Sequence, residues 1–227
     1  MAHIMEVIVT SVEEAIEAEA GGADRLELVR ALDLGGLTPP RQVVRHVLDA
    51  VGIPVRTMLR EQATMCSGTP EEMAALQECA EVFADMGVDG FVMGFVQADF
   101  VDAGAMRTIL SAAPRCPVTF HRAFDDLPDP MCAIKQLLEL PQVDRILTAG
   151  GKGAWMERKR RLIEWQHAAA PSIRILVGAG ISPAVIDDLS RTPELQEIHV
   201  GRAARSPHSV SGIVRRDVVQ ALKSALR

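Results

Sequence analysis

Eight short apolar runs alternate with amphipathic helical stretches from one end of the 227-residue chain to the other. The runs lie at 6–10, 25–29, 54–59, 90–95, 117–121, 145–149, 174–178 and 197–201. The stretches with helical spacing lie at 11–20, 40–50, 70–86, 102–113, 129–139, 154–169, 183–190 and 215–226. Strands that alternate with helices pair in parallel through right-handed crossovers. Eight such units in one chain predict an α/β fold, a (β/α)₈ barrel formed as a single domain over residues 1–227. An open doubly wound sheet would leave two exposed edges, and no G-x-G-x-x-G follows the first run. Helix starts agree with this register. Thr69, Asp129 and Ser182 each precede a proline, which pairs an N-cap with the residue preferred at the first helical position.

Composition narrows the function classes. The net charge of -6 provides no basic excess to neutralise phosphates, so no nucleic-acid partner is expected. The basic cluster at 157–165 has the spacing of a solvated helix face. No run reaches the roughly 20 apolar residues of a membrane span, and the first residues lack the layout of an export signal. A cytoplasmic protein without a membrane partner is the expectation. Cys66, Cys79, Cys116 and Cys132 form no C-x-x-C pair, so they read as reduced thiols rather than as a zinc site or a disulfide framework.

In such barrels the chemistry sits at the carboxyl ends of the strands, and side chains there alternate between faces. With Val118 and Phe120 packed against helices, Thr119 and His121 turn inward. The same alternation turns Glu27 and Val29 inward from Leu26 and Leu28, and His199 inward from Ile198 and Val200. In the third run either Arg56, Met58 and Arg60 or Val55, Thr57 and Leu59 face inward; Arg60, which closes the strand, favours the first set. Glu27, Arg60, His121 and His199 thus converge on one mouth, with Arg122 and Asp125 in the adjoining loop, and these six are the candidate catalytic residues. A buried ion-pair network would also account for them, but hydrophobic packing serves stability as well at less cost. The glycines after the seventh and eighth strands, Gly178, Gly180 and Gly201, let backbone N–H groups approach an anion, and Arg202 or Arg205 adds a charged contact. The four lysines lie on helices or in a loop, which disfavours Schiff-base chemistry. General acid–base chemistry on a small phosphorylated or carboxylated metabolite, the work of an isomerase or lyase, fits the residue supply. A metal ion held by Glu, His and Asp is the other ligand these residues allow.

The segments "GGADRLELVRALDLGGLTPP" (21–40), "TFHRAFDDLPDP" (119–130), "DRILTAGG" (144–151) and "ILVGAGIS" (175–182) resemble the CutC family of copper-homeostasis proteins. The resemblance runs over nearly the whole chain in order and spacing. It implies a single-domain (β/α)₈ barrel, a cytoplasmic homo-oligomer and a link to copper tolerance or copper(I) binding. It also marks Glu27, Arg60, His121, Arg122 and Asp125 as the pocket cluster. The chain departs from the family pattern at three places. Val29 stands where members commonly carry cysteine, "MLREQATMC" (58–66) replaces "MIRPRGGDF", and "VGRAAR" replaces a serine-rich end after His199. Copper(I) prefers thiolate and thioether ligands. Met65 and Cys66, close to Met58, are the soft donors left for it near the mouth.

Overall fold

The computed structural model describes residues 3–226. Eight parallel strands close into a barrel: β1 (Ile4–Val9), β2 (Arg25–Leu28), β3 (Val55–Met58), β4 (Gly90–Met93), β5 (Val118–Phe120), β6 (Val143–Thr148), β7 (Arg174–Val177) and β8 (Glu197–Val200). The order around the barrel follows the chain, and β8 closes on β1 with Glu6 opposite His199. Helices follow the strands: α1 (Val12–Ala20), α2 (Arg41–Ala50), α3 (Pro70–Met86), α4 (Ala103–Leu110), α5 (Pro130–Leu138), α6 (Trp155–Ala169), α7 (Pro183–Ser190) and α8 (Arg216–Ala225). None of the described helices is long and apolar enough to cross a membrane.

Element limits agree with the apolar periodicity to within two residues in the strands; β1 and β6 each begin two residues early. The predicted caps form. Thr69, Asp129 and Ser182 accept hydrogen bonds from the N–H groups of Glu72, Cys132 and Val185, which satisfies donors that a helix start leaves open. Two hairpins not foreseen from the sequence follow β4 and β8. They pair Val96–Gln97 with Phe100–Val101, and Arg205–Ser206 with Ile213–Val214. Strands of two residues are too short to show a period.

Alternation divides the barrel into two cores. Met5, Val7, Val9, Leu26, Leu28, Phe91, Phe120, Ile146, Ile175 and Ile198 pack outward in the core shared with the helices. Inside, Ile8, Val29, Met58 and Val92 form a small apolar layer. Val55 and Leu59 belong to the outer core, so Arg56, Met58 and Arg60 are the inward set of β3.

Below that layer the barrel is filled by charge. Arg25 Nε lies 2.5 Å from Glu6 Oε2, and Arg25 Nη2 lies 2.9 Å from Glu197 Oε2. Glu197 also takes Arg145 Nε at 2.6 Å. Arg145 pairs with Asp144, which holds Arg56 Nη2 at 2.6 Å. Each ion there has a counter-ion and hydrogen bonds, the condition under which buried charge is tolerated. A self-satisfied ion network therefore exists in this barrel, but it is made of residues other than the six of the mouth, and it forms the floor.

Candidate functional site

Above the floor a cavity of about 460 Å³ opens at the carboxyl ends of the strands. Glu27, Arg60, His121, Arg122 and His199 line it, as do Gly180, Gly201 and Arg202. Asp125 and Gly178 do not. Asp125 is spent on its neighbours: it accepts from Ala149 N at 3.1 Å, Thr148 Oγ1 at 2.5 Å and Arg122 Nε at 2.9 Å. It ties the loop after β5 to the end of β6 and aims Arg122. Gly178 packs instead of lining, because a Cβ there would stand 2.6 Å from Leu147 Cδ1. Arg205 is also unavailable to a ligand. It is buried, with Nη1 and Nη2 at 2.5 and 2.8 Å from the two Glu14 carboxylate oxygens.

His199 sits between two carboxylates. Its Nδ1 is 2.9 Å from Glu6 Oε1 and 3.3 Å from Glu27 Oε2. The contact with Glu27 lacks hydrogen-bond geometry, so Glu27 Oε2 is buried without a partner. Glu6 is held in turn by Arg25. Burial raises the Glu6 pKa, yet Arg25 and the His199 contact outweigh it and keep this carboxylate well below the usual range. Burial disfavours the His199 cation, but Glu27 and Glu6 overcome this and raise its pKa. Burial, above all, pushes the Glu27 pKa up to about 7, helped by the Glu6 charge and only partly opposed by His199, Arg60 and Arg25. Two neighbouring carboxyls thus differ in state, with Glu6 ionised and Glu27 poised to exchange a proton near neutrality.

His121 is set differently. Its Nδ1 accepts from Ala123 N at 3.2 Å, which leaves the proton of the neutral ring on Nε2. That Nε2 is buried without a partner. Burial, assisted by the charge of Arg60, lowers its pKa to about 3, so the ring is a neutral donor. Arg60 is 2% exposed and meets carbonyls rather than carboxylates: Leu34 O at 2.9 Å and Gly36 O at 2.7 Å. Gly36 can present its carbonyl there because its φ of +91° suits glycine. Burial lowers the Arg60 pKa from its ordinary value.

Sequence reasoning missed Glu6 and Arg25. The signal was available, since Glu6 alternates with the outward Met5 and Val7 and so shares an inward face with Ile8. A charged residue in the middle of an apolar strand was the mark of the floor.

The CutC family model matches residues 3–204. The chain belongs to the CutC family. A CutC family protein of Klebsiella pneumoniae is 40% identical over 80% of this chain and 73% of its own. The human copper homeostasis protein cutC homolog is 34% identical over 98% of this chain and 81% of its own. The crystal structure of a CutC protein from Streptococcus agalactiae superposes with a TM-score of 0.80 at 24% identity, covering 88% of this chain and 98% of that one. This last likeness concerns the fold.

Copper(I) finds a poor ligand set in this CutC mouth. Val29 is buried beside Met58 where a thiolate would be needed. Cys66 is exposed and outside the cavity wall. Met58 and Met65 do line the cavity, but the Met65 sulfur already takes Arg60 Nη1 at 3.1 Å. A cation placed on that thioether would meet a guanidinium. Among the described residues, Glu6, Glu27 and His199 form a group whose donor atoms lie within 4.8 Å of one another, and they offer hard oxygen and imidazole, not sulfur. The residues present do not fit copper(I).

Proposed function

We propose that the barrel mouth binds a small organic anion and moves a proton on it, as an isomerase or lyase does. The observation that carries this reading is Glu27, a fully buried carboxyl without a hydrogen-bond partner and with a pKa of about 7. A group so placed works efficiently as a general base near neutral pH. The neighbouring His199 has its Nδ1 oriented by Glu6 and lines the cavity, which suits it to act as the acid. The His121 Nε2–H supports a developing negative charge on a substrate oxygen, and Arg60 neutralises the anionic group. In the reaction a C–H proton next to an acyl group passes to the Glu27 carboxylate. In an isomerase it then returns to carbon. In a lyase the electron pair left on carbon forms a C=C bond as the bond to the departing group breaks. That group takes a proton from His199, and Glu27, 3.3 Å from His199 Nδ1, hands its proton on to restore the ring.

Proton exchange tests this whatever the product. Small carboxylates and phosphorylated metabolites that raise the Tm are incubated with the protein in D₂O, and loss of the substrate C–H signal is followed by NMR. Exchange is expected for at least one ligand and is expected to fall at least 100-fold in Glu27→Gln, within the 10²–10⁴ range of general base catalysis. Exchange at the wild-type rate in that variant would sink the reading.

Copper binding is the function that the relatives' names suggest, and we expect little of it here. An anaerobic copper(I) titration against a chelator of known affinity is expected to show weak binding that Cys66→Ser leaves unchanged. Tight, stoichiometric binding lost in Cys66→Ser would restore the copper role.

A further inference from the structure

We infer that Met65 holds the place of a substrate carboxylate on Arg60, and that the mouth takes a monocarboxylate with an apolar body. This rests on the anion-binding reading above and sharpens it. A guanidinium carries five N–H donors. Here Nε donates to Gly36 O at 3.1 Å, and Nη2 donates to Leu34 O and Gly36 O. Nη1 has one described partner, Met65 Sδ at 3.1 Å. A thioether is a weak acceptor, and among the described residues no carboxylate hydrogen-bonds to this buried cation, Glu27 acting on it only from a distance. A charge buried without a hydrogen-bonded counter-ion is costly, so an anion that displaces the sulfur gains a charge-assisted bond where a weak one stood.

The displacement asks little of the chain. Met65 is anchored through its own carbonyl, which accepts from Val96 N at 2.8 Å. Only its flexible side chain has to swing away. The size of the anionic group follows from the donor supply. One guanidinium nitrogen, with the His121 Nε2–H on the same cavity, suits the two oxygens of a carboxylate better than the three of a phosphate monoester. The other cavity arginines add little at depth, since Arg122 is half-exposed and bonded to Asp125, and Arg202 is exposed. The rest of the ligand meets Ile8, Leu32, Met58, Leu147 and Ile181, an apolar wall that favours a hydrocarbon body over a polyol.

Methyl NMR on protein labelled at its methionine methyls tests this, with butyrate and inorganic phosphate as probes and the Met65 signal assigned from Met65→Leu. Butyrate is expected to shift the Met65 signal to saturation, and phosphate is expected not to compete. Met65→Leu removes the sulfur acceptor and is expected to tighten butyrate binding a few-fold. Met65→Glu supplies a carboxylate in cis and is expected to weaken it at least tenfold. Butyrate binding that leaves the Met65 signal and both variants unaffected would overturn the placeholder. Phosphate binding in preference to butyrate would overturn the carboxylate class while leaving the anion reading intact. If neither ion perturbs Met58 or Met65, both fail together.

Discussion

At pH 8.5 the Glu27→Gln protein is expected to be more stable than the wild type by about 3 kcal/mol, with the two becoming nearly equal at pH 4. The folded pKa of Glu27 is raised from 4.5 to about 7, and each unit corresponds to 1.36 kcal/mol. Between those values the folded state binds more protons than the unfolded one, so this group's contribution to stability falls as pH rises. Below 4.5 both states carry a neutral carboxyl, which glutamine closely imitates. Above 7 the wild type must hold a buried carboxylate with no hydrogen-bond partner, and glutamine need not. The attraction between Glu27 and His199 is already contained in that folded pKa. Comparing the two proteins at each pH cancels the titration of His121, which they share and which Glu27 does not shift. Urea denaturation across pH 4 to 8.5 measures the difference. An equal or lower stability for Glu27→Gln at pH 8.5 would mean that Glu27 is ionised and well supported in the folded state. A gain in stability joined to a loss of proton exchange is what a group kept for chemistry should show.

The barrel was legible because each of its eight units writes its own period. The run at 25–29 shows the alternation of Leu26 and Leu28 against Glu27 and Val29, and the structure keeps that alternation. The same rule turned Arg60, His121 and His199 to the mouth. What periodicity cannot show is which inward ions pair across the barrel. Glu6 and Glu197 are 191 positions apart in sequence and meet on Arg25. That meeting depends on closure and register, which are properties of the assembled sheet. Asp125 and Arg122 occupy one loop, yet one is a clamp and the other lines the cavity. The difference arises from Thr148 and Ala149 on the next strand. Arg60 likewise takes its distinctive state from carbonyls 24 and 26 positions away. Residue types located the site, and long-range contacts decided the state of each residue in it.

The floor beneath the site sets up the last expectation. Arg25→Met is expected to cost about 3–5 kcal/mol, as removal of one partner from a buried ion pair does. The cost comes from what remains: Glu6 and Glu197 would lose the guanidinium that lies 2.5 and 2.9 Å from them. Arg145 still holds Glu197, so the larger share falls on Glu6. The sign of the pH dependence separates this from a simple packing loss. The folded pKa of Glu6 is lowered, with Arg25 the leading cause against burial. Its contribution to stability is therefore present above pH 4.5 and lost as pH falls toward the folded value. Without Arg25 the Glu6 pKa rises, and the part of the acid-side slope due to Glu6 should flatten. If the penalty were the same at pH 3 and pH 7, the ion pair would not be its source. Proton exchange should slow in this variant even where it remains folded, because Glu6 is what orients His199 Nδ1. The triple change Glu6→Leu, Arg25→Met and Glu197→Leu should recover part of the stability, since matched apolar groups commonly replace buried ions at little cost. It should recover none of the exchange, which would mark the floor as the support that positions His199 beneath Glu27.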